Sequence, residues 1–265
     1  APVVEEPVVE EPVVEEPVVE EPMEEEAADP NELFGAMLSS MAAYNTIKAD
    51  ALLTELAEDT PPFLLDVRTT AELEESGHIE GATHIPLNEL AQHSDLLPAF
   101  DTPIVAYCGS GWRATIAMTA LYGMGWTDVR ALKTTFADWV DAGNPVAEGV
   151  PEVMALNVAE PDAALVAVAD AYLVGIKDHG VKFGVTTGEA LNTALVETPD
   201  LVLIDVRRQE EVDEKGSIDA PNLIHIPMEE FVTRMSDWPS MDAPITVYCG
   251  SGHRSTMAMT ILFAN

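Results

Sequence analysis

Residues 107–119 read YCGSGWRATIAMT, and residues 248–260 read YCGSGHRSTMAMT. The two stretches differ only at Trp112/His253, Ala114/Ser255 and Ile116/Met257. A recurrence of this length means that one structural unit is built twice. The match extends upstream, where FLLDVRTTAELEESGHIEGATHIPL (63–87) parallels LVLIDVRRQEEVDEKGSIDAPNLIHIPM (201–228). Asp66, Arg68, Glu72, Gly77, Ile79, Ile85 and Pro86 fall on Asp205, Arg207, Glu211, Gly216, Ile218, Ile226 and Pro227. Pro86 precedes Cys108 by 22 residues, and Pro227 precedes Cys249 by the same distance.

Within each copy, short apolar runs alternate with helical patterns. Phe63–Val67, Leu201–Val206, Pro103–Tyr107 and Pro244–Tyr248 are continuous apolar runs of the kind that buried parallel strands require. Ile116, Ala117, Ala120, Leu121 and Met124 share one face at helical spacing. Helical segments at 31–44 and 161–175 precede the two units, and Thr186 with Glu189 has capping-box spacing before a helix at 187–196. The expected fold class is therefore α/β: two tandem domains, each a mainly parallel sheet flanked by helices. The expected limits are a tail at 1–30, a first domain at 31–150 and a second at 151–265. The first copy continues through WTDVRAL (126–132) and TTFADWVDAG (134–143), a further strand and helix without counterparts before Asn265. The second unit is accordingly expected to be truncated at its C-terminus.

The chain of 265 residues has a formal net charge of −35. Nucleic acid and anionic membranes would be repelled, and no apolar run approaches the length of a membrane span. Part of the charge lies in residues 2–26, PVVEE four times over and then PMEEE. A five-residue period with recurrent proline fits neither helix nor strand, so this segment is expected to be an extended acidic spacer. The alternative is a docking strand for a protein partner or for self-assembly, with the paired valines buried against a sheet edge. Ala1 without a methionine or signal segment fits a mature exported protein, periplasmic or extracellular.

Cys108 and Cys249 are the chain's only cysteines, and each opens a C-x4-R loop between a strand and a helix. A thiol reacts as its thiolate, and three features of the loop favour that form. The positive end of the helix dipole faces the sulfur. Gly109, Ser110 and Gly111, like Gly250, Ser251 and Gly252, let backbone N–H groups turn inward around an anion. Arg113 and Arg254 add a permanent charge at the far lip. Trp112 and His253 line the loops at equivalent places. A loop built to wrap a phosphate around a thiolate uses C-x5-R, so the tighter cradle suits a sulfur atom carried on the cysteine and disfavours phosphatase or arsenate-reductase chemistry. Equivalent positions in separate domains make a disulfide between the two cysteines unfavourable. With no second cysteine or close histidine pair in either loop, no metal and no cofactor is expected.

DVR at 66–68 and 205–207, GHIEGATHIP at 77–86 and the loops at 108–113 and 249–254 together resemble the rhodanese sulfurtransferases, from about residue 45 to 265. The resemblance implies two tandem rhodanese-like domains in which the loop cysteine takes sulfane sulfur from a donor of thiosulfate or mercaptopyruvate type. It would hold the sulfur as a persulfide and pass it to a thiol or cyanide acceptor. The resemblance also implies that Arg68 and Arg207 pair with Glu72 and Glu211 in a structural role, and that Asp66 and Asp205 lie near the active-site cleft. The chain departs from the family pattern at Ser217, which replaces the His78 type, and at KTTFADW (133–139), where paired glycines are usual. CGSG resembles the mercaptopyruvate-using branch, but Arg closes the loop where that branch has Thr. Retention of both cysteines favours two working sites, or one site and one sulfur relay. His78 and His84 are expected to be structural hydrogen bonders and Trp139 a core residue. The rival reading is a non-catalytic surface or assembly protein using the same fold as a scaffold.

Overall fold

The computed structural model describes residues 28–178 and 182–265; the acidic repeat, whether spacer or docking strand, lies outside the described residues. In the first unit, helix α1 (Pro30–Ser40) leads through a short turn to strand β1 (Thr46–Ile47) and helix α2 (Ala49–Leu56). Strand β2 (Phe63–Asp66), helix α3 (Thr70–Ser76) and the short strands β3 (His78–Ile79) and β4 (Thr83–His84) follow. A 3-10 segment (Leu87–Leu96) then leads to β5 (Ile104–Tyr107), α4 (Trp112–Gly123), β6 (Val129–Leu132), α5 (Phe136–Asp141) and β7 (Val146–Ala147). The sheet order is β1-β6-β5-β2-β4 with every pairing parallel, while β3 and β7 form a small antiparallel pair.

Apolar side chains on both faces drive this layering. All four residues of the central strand β5 are buried, as are Leu64 and Leu65 on β2. Helices cover both faces, so a continuous apolar run is the pattern a central strand needs. Trp139 is core, its indole N–H donating to the Pro145 carbonyl, and Trp126 is fully buried. His78 bonds the Gly149 carbonyl through Nδ1 and His84 the Arg68 carbonyl through Nε2, which fixes the loops they join.

The second unit runs α6 (Ala163–Leu173), α7 (Gly188–Glu197), β8 (Val202–Asp205), α8 (Gln209–Lys215), β9 (Leu223–His225), β10 (Ile245–Tyr248) and α9 (His253–Phe263). Its parallel sheet has the order β10-β8-β9. The counterpart of β1 would fall near Val185, which forms only an isolated bridge to Lys182. In the first sheet β1 pairs only with β6, so without a β6-like strand that segment has no ladder to join. α7 starts one residue later than its sequence signal suggests: Thr187, not Thr186, accepts from the Ala190 N–H as the N-cap.

The two units pack as a pseudo-symmetric pair. α4 lies against α9, each the helix that follows a cysteine loop. The leading helices cross over: α1 reaches the 3-10 turn Met228–Glu230 of the second unit, and α6 packs on Leu87–Leu96 of the first.

Candidate active site

Cys108 leaves the end of β5 and Cys249 the end of β10, where parallel strands deliver side chains to the sheet's carboxyl edge. The loops then turn in the same way. Gly111 and Gly252 cap α4 and α9 in the left-handed region, with φ of 90° and 92°. Only glycine enters that conformation without strain. It aims their N–H groups back at the sulfur, 3.1 Å from Cys108 Sγ and 3.2 Å from Cys249 Sγ. Neither cysteine is bridged.

The sulfur environments differ. Cys108 is buried, whereas Cys249 is half-buried and lies 3.6 Å from Ser255 Oγ, where the first loop has Ala114. Burial pushes the Cys249 thiol up, but the N–H groups of Ser251, Ser255 and Gly252 and the Ser255 hydroxyl outweigh it. The net result is a pKa below the ordinary value. A groove of about 860 Å³ opens beside Cys249 along the edge of β10, with Trp112, Trp238, Met241 and Tyr248 among its lining residues. Trp112 thus stands against the second loop: its indole nitrogen would be 3.0 Å from a Cβ placed on Gly252. A smaller cavity of about 490 Å³ lies on the first unit, bounded by Arg68, Glu72, Gly109 and Phe136.

The ion pairs correct the expected partners. Arg68 does not pair with Glu72; it grips Asp66, with Nη2 to Oδ2 at 2.6 Å, donates to the Gly77 carbonyl, and stacks 3.8 Å from the Phe136 ring centroid. Arg207 holds Asp205 and Gly216 in the same way, and Tyr248 adds a hydroxyl hydrogen bond to Asp205. Each aspartate follows its strand directly into the loop that its arginine must close, and at 0% exposure neither carboxylate reaches a cleft. Both carboxylates are thus sealed against their arginines and not at the cleft where the resemblance put them.

Glu72 and Glu211 pair instead with the loop arginines. Arg113 makes two 2.6 Å bonds to the Glu72 carboxylate, and Arg254 makes a bidentate pair with Glu211. Burial raises the Glu72 carboxyl, but Arg113 and Thr69 hold it at about 2. Arg254 is the main cause of the same depression, to about 2, at Glu211. The loop arginines are thus not free charges at a lip. Each ties its loop to the helix after the preceding strand, and its positive charge is largely matched.

Sequence reasoning missed Ser255 as a thiol partner, though the Ala114/Ser255 difference marks it. It also missed Tyr44, whose carbonyl accepts from His253 Nε2 at 2.7 Å. His253 Nδ1 meets Thr115 Oγ1 at 2.8 Å, so both ring nitrogens bridge the second loop to the first unit. Burial lowers its pKa and favours the neutral ring. Among the described residues, no group of three or more histidine, cysteine or acidic side chains is placed to hold a metal, and no helix is long and apolar enough to cross a membrane.

A parallel α/β sheet that presents a cysteine in a glycine-rich anion cradle, built twice, defines a class of thiol-based group-transfer folds. The rhodanese-like domain matches residues 48–142 and 189–265, and the chain belongs to that family. It is 36% identical over 74 residues to a sulfurtransferase of Allochromatium vinosum, spanning 28% of this chain and 65% of that protein. It is 38% identical over 76 residues to the uncharacterized protein YqhL of Bacillus subtilis, spanning 29% of this chain and 59% of that protein. The chain thus matches about three fifths of the length of these relatives. The crystal structure of SseA, a 3-mercaptopyruvate sulfotransferase of Escherichia coli, aligns at 20% identity and a TM-score of 0.40, over 82% of this chain and 93% of that one.

Proposed function

We propose that the chain is a sulfurtransferase working through cysteine persulfides at Cys249 and Cys108. The observation that carries this reading is the loop itself. A thiol at a strand end receives a glycine N–H at 3.1–3.2 Å, and at Cys249 the thiolate is favoured. In the first half-reaction the thiolate attacks the outer sulfur of a donor, and a Cys–S–S bond forms. The donor's bond to that sulfur breaks: thiosulfate leaves as sulfite, or mercaptopyruvate leaves as the pyruvate enolate, which takes a proton. In the second, a thiolate or cyanide attacks the outer sulfur, and the cysteine thiolate leaves with the electron pair of the S–S bond. The inward N–H groups suit a species that is anionic before and after each step.

Of the two thiols, Cys249 is the proposed donor site, because Ser255 adds a thiolate-favouring hydroxyl where the first loop has Ala114. Sulfur-transfer assays with thiosulfate and with mercaptopyruvate, on wild type, Cys108→Ser, Cys249→Ser and the double variant, test this. Activity is expected to survive in Cys108→Ser, to fall sharply in Cys249→Ser and to vanish in the double variant. No turnover with either donor, together with no mass gain of one sulfur on either cysteine, would leave a non-catalytic scaffold instead.

A further inference from the structure

Non-glycine residues seldom enter the left-handed region, and clusters of them mark places where the surrounding structure imposes the backbone. The described chain has such a run at Ala43, Tyr44 and Asn45, with φ of 49°, 55° and 52°. Phe183 is another case, at φ 53°. These two places are counterparts in the duplication. Tyr44 precedes the first residue of α2, Ala49, by five positions, and Phe183 precedes the first residue of α7, Gly188, by the same distance.

Each aromatic ring lies against the loop arginine of the opposite unit. The Arg254 guanidinium carbon is 5.1 Å from the Tyr44 ring centroid, and that of Arg113 is 5.1 Å from the Phe183 ring centroid. Both distances are within cation–π range. Tyr44 is held further. Its hydroxyl donates to Glu229 at 2.7 Å, its carbonyl accepts from His253, and the Arg208 guanidinium carbon lies 5.1 Å from its ring centroid. Phe183 has no hydroxyl to anchor it and is 9% exposed. The two arginines in turn feel the cysteine of their own loop, which raises their basicity together with their glutamates.

We propose that Tyr44 and Phe183 are reciprocal positioning residues: each sets the loop arginine, and through it the thiol reactivity, of the unit it does not belong to. Cys249 therefore depends on a side chain of the first unit, and Cys108 on one of the second. The double anchoring of Tyr44 makes its effect the larger. The charged and titratable groups around Cys249 are Arg254, Glu211 and His253, with Lys133 near His253 and Arg208 and Glu229 behind Tyr44. Around Cys108 they are Arg113 and Glu72, with Asp66 behind and Lys182 5.7 Å from the Phe183 ring centroid. The inference rests on reading both cysteines as reactive thiols, but its test needs no sulfur transfer.

The test is iodoacetamide alkylation of the whole chain across pH, with each cysteine quantified separately by peptide mass. In Tyr44→Leu the Cys249 rate near neutral pH is expected to fall about two- to fivefold, with its titration moved to higher pH and Cys108 unchanged. In Phe183→Leu the smaller loss is expected at Cys108, with Cys249 unchanged. Tyr44→Phe keeps the ring over Arg254 but loses the hydroxyl's bonds to Glu229 and Arg254, and is expected to fall between wild type and Tyr44→Leu. General loosening of the fold would speed or slow both thiols together. Equal effects on both cysteines, effects on the variant's own unit, or no effect in either leucine variant would overturn the proposal. Crossed alkylation effects without any sulfur turnover would retain it and remove the sulfurtransferase reading.

Discussion

The two cysteine loops share a backbone but not an environment. The N–H to sulfur distances differ by 0.1 Å between Cys108 and Cys249, and the capping glycines by 2° in φ. Yet β5 is buried at all four positions, while every residue of β10 is partly exposed. β5 has β2 on one side and β6 on the other; β10 pairs only with β8 among the described residues. The loop conformation is thus a local property of CGSG-x-R, whereas burial belongs to the neighbouring strands. The groove beside Cys249 lies on the flank of β10 where β5 carries β6, so its exposure reports that neighbour and not the loop.

The largest effects should come from the buried ion pairs. Arg68→Leu strands the Asp66 carboxylate at 0% exposure, which is expected to cost about 3–5 kcal/mol in denaturant unfolding. Arg207→Leu should cost less, because Arg207 is 8% exposed against 1% for Arg68, while a tyrosine hydroxyl, Tyr107 or Tyr248, remains for the aspartate of each unit. Equal losses would show that the second unit closes around its pair as tightly as the first.

The capping glycines come next. Alanine at either position takes on left-handed backbone strain of ~1–2 kcal/mol. At Gly252 the added carbon would also meet Trp112, whereas at Gly111 the nearest atom is 3.8 Å away. Gly252→Ala is therefore expected to lower the melting temperature more than Gly111→Ala, and Trp112→Ala should narrow that gap.

Exchanging the serine is a smaller change. Ser255→Ala removes a hydroxyl that favours the Cys249 thiolate, so its apparent pKa should rise. Titration by alkylation measures this, and an unchanged value would assign the lowered pKa to the backbone donors alone.

The smallest effect concerns acid stability. Glu72 and Glu211 titrate at about 2 in the folded chain against an ordinary 4.5, so their pairs stabilise above pH 4.5. That contribution is lost as pH falls from 4.5 toward 2. Because both carboxylates are partly exposed, solvent screening keeps it modest. Glu72→Gln and Glu211→Gln should each flatten stability over that window. Identical pH profiles for wild type and both variants would remove this account.

The duplication, the strand–helix alternation and the cysteine loops were legible in the residues, because they rest on short-range constraints. An apolar run of four must be buried on both faces, and a glycine between cysteine and arginine must permit a tight turn. Partner choice was not legible. The family resemblance implied an Arg68–Glu72 pair. Two arginines compete for two carboxylates, and which pair forms depends on how close α3 comes to the α4 N-terminus. Thr186 and Thr187 are likewise equivalent as sequence signals, and the approach of the preceding turn selected Thr187.

The sequence by itself determined that this is a doubled α/β chain of the rhodanese family with a thiol in each anion cradle, since those features follow from period, spacing and glycine placement. The tertiary structure decided that Asp66 and Asp205 are sealed in the core, that Trp112 belongs to the second loop's surroundings, and that Tyr44 and Phe183 cross between units. Burial and cross-domain contact depend on how helices and sheets pack, and packing joins residues that the chain keeps far apart.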